Sequence, residues 1–153
     1  MGVKIEIVRS ADDEVVAAFG RLLPQLSRNA VPLDREAVGR VIACDANTLL
    51  VARVGGPDGS AGEIVGTLTL VLFPLPTGLR AWIEDVVVDE TARGHGVGAA
   101  LTEEAVRLAE EAGARTVDLT SRPSREAANR LYERVGFRVR ESNVFRFTSG
   151  GPR

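Results

Sequence analysis

Along the first nine residues, valine and isoleucine alternate with Lys4 and Glu6, and a period of two is the mark of a half-buried β-strand. The period then lengthens. Val15, Val16, Phe19, Leu22, Leu23 and Leu26 fall on one side of a 3.6-residue turn, predicting a first helix that starts between Ser10 and Asp13 and bends or ends near Pro24. After the polar stretch Ser27 to Pro32, a second short helix is expected beyond Asp34, with Val38, Val41 and Ile42 inward. Thr48 to Val54 and Ile64 to Phe73 read as strands of a hairpin joined by GGPDGSAG, and Leu75 to Gly78 turns the chain into a further strand, Leu79 to Val88. The clearest amphipathic helix carries Val97, Leu101, Ala105, Leu108 and Ala112 on one side and Glu103, Glu104, Arg107, Glu110 and Glu111 on the other. Thr116 to Leu119 is a short strand and Ser124 to Val135 a helix closed by Gly136. Phe137 to Thr148 reads as one or two final strands broken around Glu141 to Asn143.

This order predicts one α/β (α+β) domain over residues 1–148, a mixed and mostly antiparallel sheet flanked by helices, with 149–153 as a frayed tail. Strand, long helix, strand in the second half requires a parallel crossover. A chain of 153 residues buries roughly two-thirds of its unfolded surface and needs no staple. Composition then removes whole classes. A net charge of −2 gives no field for nucleic acid, and one cysteine with one histidine cannot build a disulfide or a Cys/His zinc site, so no metal is expected. No segment has the ~18 consecutive apolar residues of a membrane span, and the amino terminus lacks a signal peptide's unbroken apolar core. A reducing cytoplasm fits best, and Cys44 is assigned to the core. The exposed end of such a sheet and the terminal strands allow a homodimer.

Chemistry concentrates in WIEDVVVDETARGHGVGAAL, where a strand ends, the chain turns through Arg93, Gly94, His95, Gly96, Val97 and Gly98, and a helix begins. Three glycines strip side chains from the first turn, so backbone N–H groups can close on phosphate oxygens at the positive end of the helix dipole. Arg93 adds a fixed charge. Ala99 and Ala100 stand where a nucleoside-triphosphate loop needs Lys and Ser or Thr, which excludes that motif. The turn's place after hairpins, past mid-chain, excludes a dinucleotide fingerprint, even though Asp118 stands 20 residues beyond Gly98.

RGHGVG matches the RxxGxG pattern of the GCN5-related N-acetyltransferases, and SREAANRLYERVGF resembles the later motif of that family. IEDVVVDETARGHGVG is similar to the corresponding part of glucosamine-phosphate acetyltransferases. The resemblance runs from Trp82 to about Phe147 and implies an N-acetyltransferase that moves an acetyl group from acetyl-CoA to a primary amine, small molecule or peptide, within a ternary complex. It assigns coenzyme binding to the backbone of Val86, Val87 and Val88, to Arg93, Gly94, His95, Gly96, Val97 and Gly98, and to Asn129 and Tyr132. Tyr132 is the expected proton donor to the departing thiolate, a phenol of ordinary pKa ~10 being suited to the task. Glu84 and Asp85 are the expected handlers of the amine proton, with Glu84 favoured. Successive strand residues face opposite ways, so both reach the acceptor only across a bulge. The alternative is a non-catalytic acyl-CoA-binding regulatory module.

Overall fold

The computed structural model describes residues 2–56 and 62–150. The elements follow in the order β1 (Val3–Ile7), α1 (Asp13–Leu26), α2 (Arg35–Ala43), β2 (Asn47–Val54), β3 (Ile64–Leu75), β4 (Gly78–Val88), a 3₁₀ turn (Glu90–Ala92), α3 (Val97–Glu111), β5 (Val117–Asp118) and α4 (Glu126–Val135). Pro57 to Ala61 of the expected hairpin loop, and the last three residues of the tail, lie outside the described residues.

Five strands form one sheet in chain order, antiparallel except for the parallel pair β4–β5, which α3 connects. Alternation decides what each face buries. Leu50, Ala52, Leu68, Leu70, Ala81 and Ile83 pack against Val97, Leu101, Ala105 and Ala109 of α3. The intervening positions Leu49 and Val51 meet Val15, Phe19, Leu22 and Val38 of α1 and α2 on the other face. Both faces are therefore covered, and the sheet's long axis is sandwiched between helices.

Local chemistry explains the boundaries. Asp12, not Ser10, caps α1, its carboxylate accepting from Val15 N at 2.9 Å, and Asp34 caps α2 by accepting from Ala37 N at 2.8 Å. Pro24 lies within the last turn of α1, which ends close by at Leu26. Cys44 is an exposed cap at the end of α2, where the chain leaves the apolar side of the helix, so its assignment to the core is corrected. The final strands are corrected as well. No strand forms between Phe137 and Thr148, and Val139, Val144, Phe145 and Phe147 stand 71–92% exposed: the segment joins neither free edge of the sheet, β1 nor β5, and so its alternation buries nothing.

Candidate active site

The site begins with a mismatch in the sheet. β4 pairs with β3 along almost its whole length but with β5 only at Ala81 and Trp82. The two parallel strands part beyond that point, leaving one edge of β4 open as it approaches the glycine turn. Asp89 N donates to Val65 O at 2.8 Å, and alternation along an antiparallel ladder therefore turns the N–H and C=O of Val88 toward the open edge. Val87, whose main chain faces β3, is buried with α1 and α2, while Val86 and Val88 are half-buried against the α3 side.

At the end of that edge, Gly94 and Gly96 adopt φ of 87° and 77°, the left-handed region that glycine enters at no steric cost. A Cβ at either position would meet no atom within 4 Å, so the turn is open as well as bare. No N–H from Gly94 to Ala99 finds a backbone or side-chain acceptor among the described residues. The contrast with α1 and α2 is direct: Asp carboxylates cap those helices, whereas α3 has Gly96 at its cap, no side-chain bond and no acid in its first turn. Arg93 and His95 are exposed beside it. Gly98 does a different job. A Cβ there would lie 3.0 Å from Leu131 Cδ1, so this glycine lets α4 press against the start of α3.

That contact brings the residue after Leu131 to the same corner. Tyr132 is the buried side chain of α4, 8% exposed. Its ring meets Phe137 edge-on, with centroids 6.0 Å apart. Burial pushes the phenol above its ordinary value, with Arg125 partly opposing, so the hydroxyl stays protonated at neutral pH. That hydroxyl makes no hydrogen bond to a described group, yet it is not sealed from solvent. Asn129 donates to Arg122 O at 3.0 Å and so pins the loop leading into α4. Ser121 Oγ, in the same loop past the end of β5, is buried without a hydrogen-bond partner among the described residues. Nothing in the sequence marked it.

Glu84 and Asp85 come together through the bulge that alternation required. Thr69 opposes Glu84 but Thr67 opposes Val87, so β4 carries one extra residue, and Asp85 takes φ of 52°. Glu84 shares the face of its partner Thr69, and Asp85 is swung round to that face. There it lines a cavity of about 70 Å³ with Thr67, Thr69 and apolar side chains of α1, α2 and β2. Asp85 remains exposed on its outer side, and partial loss of water on the cavity side, and then the charge of Glu84, raise its pKa above the usual carboxylate value. Arg80, a conceivable partner for either acid, instead pairs with Asp118 at 2.5 Å and ties β4 to β5, which accounts for the acid 20 residues past Gly98. Among the described residues, no group of three metal-ligating side chains gathers, and no helix is long and apolar enough to cross a membrane.

A profile described as Acetyltransferase (GNAT) family matches residues 21–137. Glucosamine 6-phosphate N-acetyltransferase of Trypanosoma brucei brucei is 41% identical over 86 residues, which are 54% of this chain and 56% of that protein. The match thus spans about half the length of that relative. A solved acetyltransferase of Trypanosoma brucei aligns with a TM-score of 0.75 at 25% identity, covering 96% of this chain and 100% of that one. An aminoglycoside acetyltransferase from an uncultured soil metagenomic sample, in complex with sisomicin, shares the fold with a TM-score of 0.79 at 20% identity, covering 96% of this chain and 95% of that one.

Proposed function

The chain belongs to the acetyltransferase (GNAT) family, and from that premise we propose that it is an acetyl-CoA-dependent N-acetyltransferase that acetylates a primary amine by direct transfer in a ternary complex. One observation carries the reading: six consecutive unpaired N–H groups, Gly94 to Ala99, stand at the end of an open strand edge. Such a row fits a diphosphate followed by an amide-bearing arm. When bound, acetyl-CoA supplies an acetyl thioester, whose carbonyl carbon accepts the amine.

Gly94, His95, Gly96, Val97 and Gly98 offer backbone donors to the diphosphate, and Arg93 adds charge. Val88 offers main-chain N–H and C=O to the arm, while Val86 and Val87 pack the strand that holds it. Asn129 keeps the facing loop in position. An alkylammonium of pKa ~10.4 is protonated at neutral pH and cannot attack. Asp85 takes that proton, directly or through water, its raised pKa moving it toward the range of a useful base. As the N–C bond forms and the C–S bond breaks, Tyr132 passes its phenolic proton to the thiolate, and the proton that the new amide nitrogen sheds returns to the phenolate, directly or through water. Cys44, exposed at the end of α2, has no part in this and no acyl-enzyme forms.

The acting species is a homodimer in which each copy covers the exposed Val139, Val144, Phe145 and Phe147 of the other. The transferase reading is tested by following free thiol release from acetyl-CoA across an amine panel. Amine-dependent release is expected. Thermal stabilisation by acetyl-CoA without release from any amine would make the chain a coenzyme-binding module instead.

A further inference from the structure

The cavity beside Asp85 has a composition that selects its occupant. Phe19 and Leu23 of α1, Leu33 of the connection, Val38 and Val41 of α2, and Leu49 of β2 form most of its wall. β3 contributes the rest with two threonines where its other face carries leucines, and Thr67 has already spent its hydroxyl on Leu50 O at 2.8 Å. That leaves Thr69 and Asp85 as polar handles, and Asp85 as the one charge among the lining residues. Glu84 lies on the same face of β4 but is held by Trp82 Nε1 at 2.6 Å.

Resting on the transferase reading above, we infer that the acceptor is a primary amine with an uncharged apolar body, alkyl or aryl, its ammonium on Asp85 and its body in the cavity between α1, α2 and the sheet. A volume of about 70 Å³ holds on the order of five water-sized groups, enough for a short chain or a small ring. A phosphorylated amino sugar fits poorly. Its phosphate would meet a carboxylate and hydrocarbon, no lining residue carries a positive charge, and its hydroxyls would lose water for partners that the walls do not supply. A polycation fits poorly too, since one lining carboxylate cannot neutralise several ammonium groups.

The test compares linear alkylamines of increasing length, phenylalkylamines, glucosamine 6-phosphate and a polyamine, by thiol release from acetyl-CoA. For the alkylamines kcat/KM should climb about fourfold for each methylene, the worth of one buried CH₂, until the cavity is full. The sugar phosphate and the polyamine should run at least about 100-fold slower, the loss of about three to four such contacts or more. Without acetyl-CoA, the same apolar amines should raise the melting temperature. Val41→Phe, which fills the cavity from α2, should shift the best chain length downward in both readouts. Faster turnover of glucosamine 6-phosphate or the polyamine than of every apolar amine would overturn this inference and leave the transferase standing. Thiol release from no amine at all would overturn both.

Discussion

Trp82 Nε1 donates a hydrogen bond to Glu84 Oε1 at 2.6 Å, so of two acids on the cavity face of β4 one is engaged, while Asp85 has no hydrogen-bond partner among the described residues. The sequence favours Glu84 as base; the bulge carries Asp85 to the cavity, and this is why the proposed mechanism gives the proton to Asp85. Glu84→Gln keeps an acceptor for the indole, and its rate and pH–rate profile should stay within about twofold of the native protein. Asp85→Asn should lower kcat/KM by ~10²-fold or more and remove the acid limb of the profile. Steady-state kinetics between pH 5.5 and 9 separates the two, and a large loss in Glu84→Gln would return the role to Glu84.

Tyr132 combines a buried ring with a hydroxyl that bonds to nothing described. Removing the oxygen therefore leaves no orphaned protein group, and Tyr132→Phe should change stability by less than about 0.5 kcal/mol. Loss of the proton donor should cut kcat by ~10²-fold with KM for the amine nearly constant, the pattern of an interaction made as the thiol departs. Burial has the opposite effect on an ionised phenol. Its stabilising contribution is intact below the ordinary tyrosine value and declines as pH rises through the raised folded value, so native and variant proteins should diverge in melting temperature only in strong alkali.

Much of this was legible in the residues, and the exceptions share a cause. Helical and strand periods placed α1, α2, α3, β1 to β4 and the glycine turn, because each is a local pattern that one face of burial enforces. What escaped depended on partners far along the chain. WIEDVVV contains no glycine to betray a bulge, yet Thr67 and Thr69 force one by pairing three residues apart on β4. Gly98 reads as part of a phosphate turn, but the Leu131 methyl 3.0 Å from its missing side chain gives it a packing role. Phe137 to Thr148 alternates on either side of the break at Glu141 to Asn143 well enough to read as one or two strands, and alternation cannot say whose edge they would pair with.

Arg53 holds the opposite end of the sheet. Its guanidinium, 15% exposed, reaches Glu6 at 2.8 Å and Glu14 at 2.6 Å, joining β1, β2 and α1. Hydrogen bonds from Arg53 hold both carboxyls below the ordinary value of 4.5. A depressed folded pKa stabilises above the unfolded value and loses its effect as pH falls through the folded one. Arg53→Met should therefore cost ~1–3 kcal/mol near neutrality, from two stranded carboxylates and the Gly62 carbonyl, and the gap should narrow below about pH 4.5. Urea unfolding at pH 7 and pH 3.5 measures it; a gap that is constant across this range would assign Arg53 a packing role alone.

The unpaired segment is what supports the proposed homodimer. Val139, Val144, Phe145 and Phe147 lie on a stretch without ladder bonds, beside a sheet whose last strand, β5, spans two residues. Exposed large apolar groups and free main-chain donors together favour a second copy in a self-complementary contact. Four side chains from each copy, at ~1.5–3 kcal/mol apiece, gather ~12–24 kcal/mol against an association cost of ~4–15 kcal/mol. Sedimentation at micromolar concentration should give a dimer of the 16.3 kDa chain. Phe145→Glu with Phe147→Glu should give a monomer with unchanged helical circular dichroism, because neither side chain touches the described core. A native chain that sediments as a monomer at 100 μM would leave these four residues without the proposed occupant.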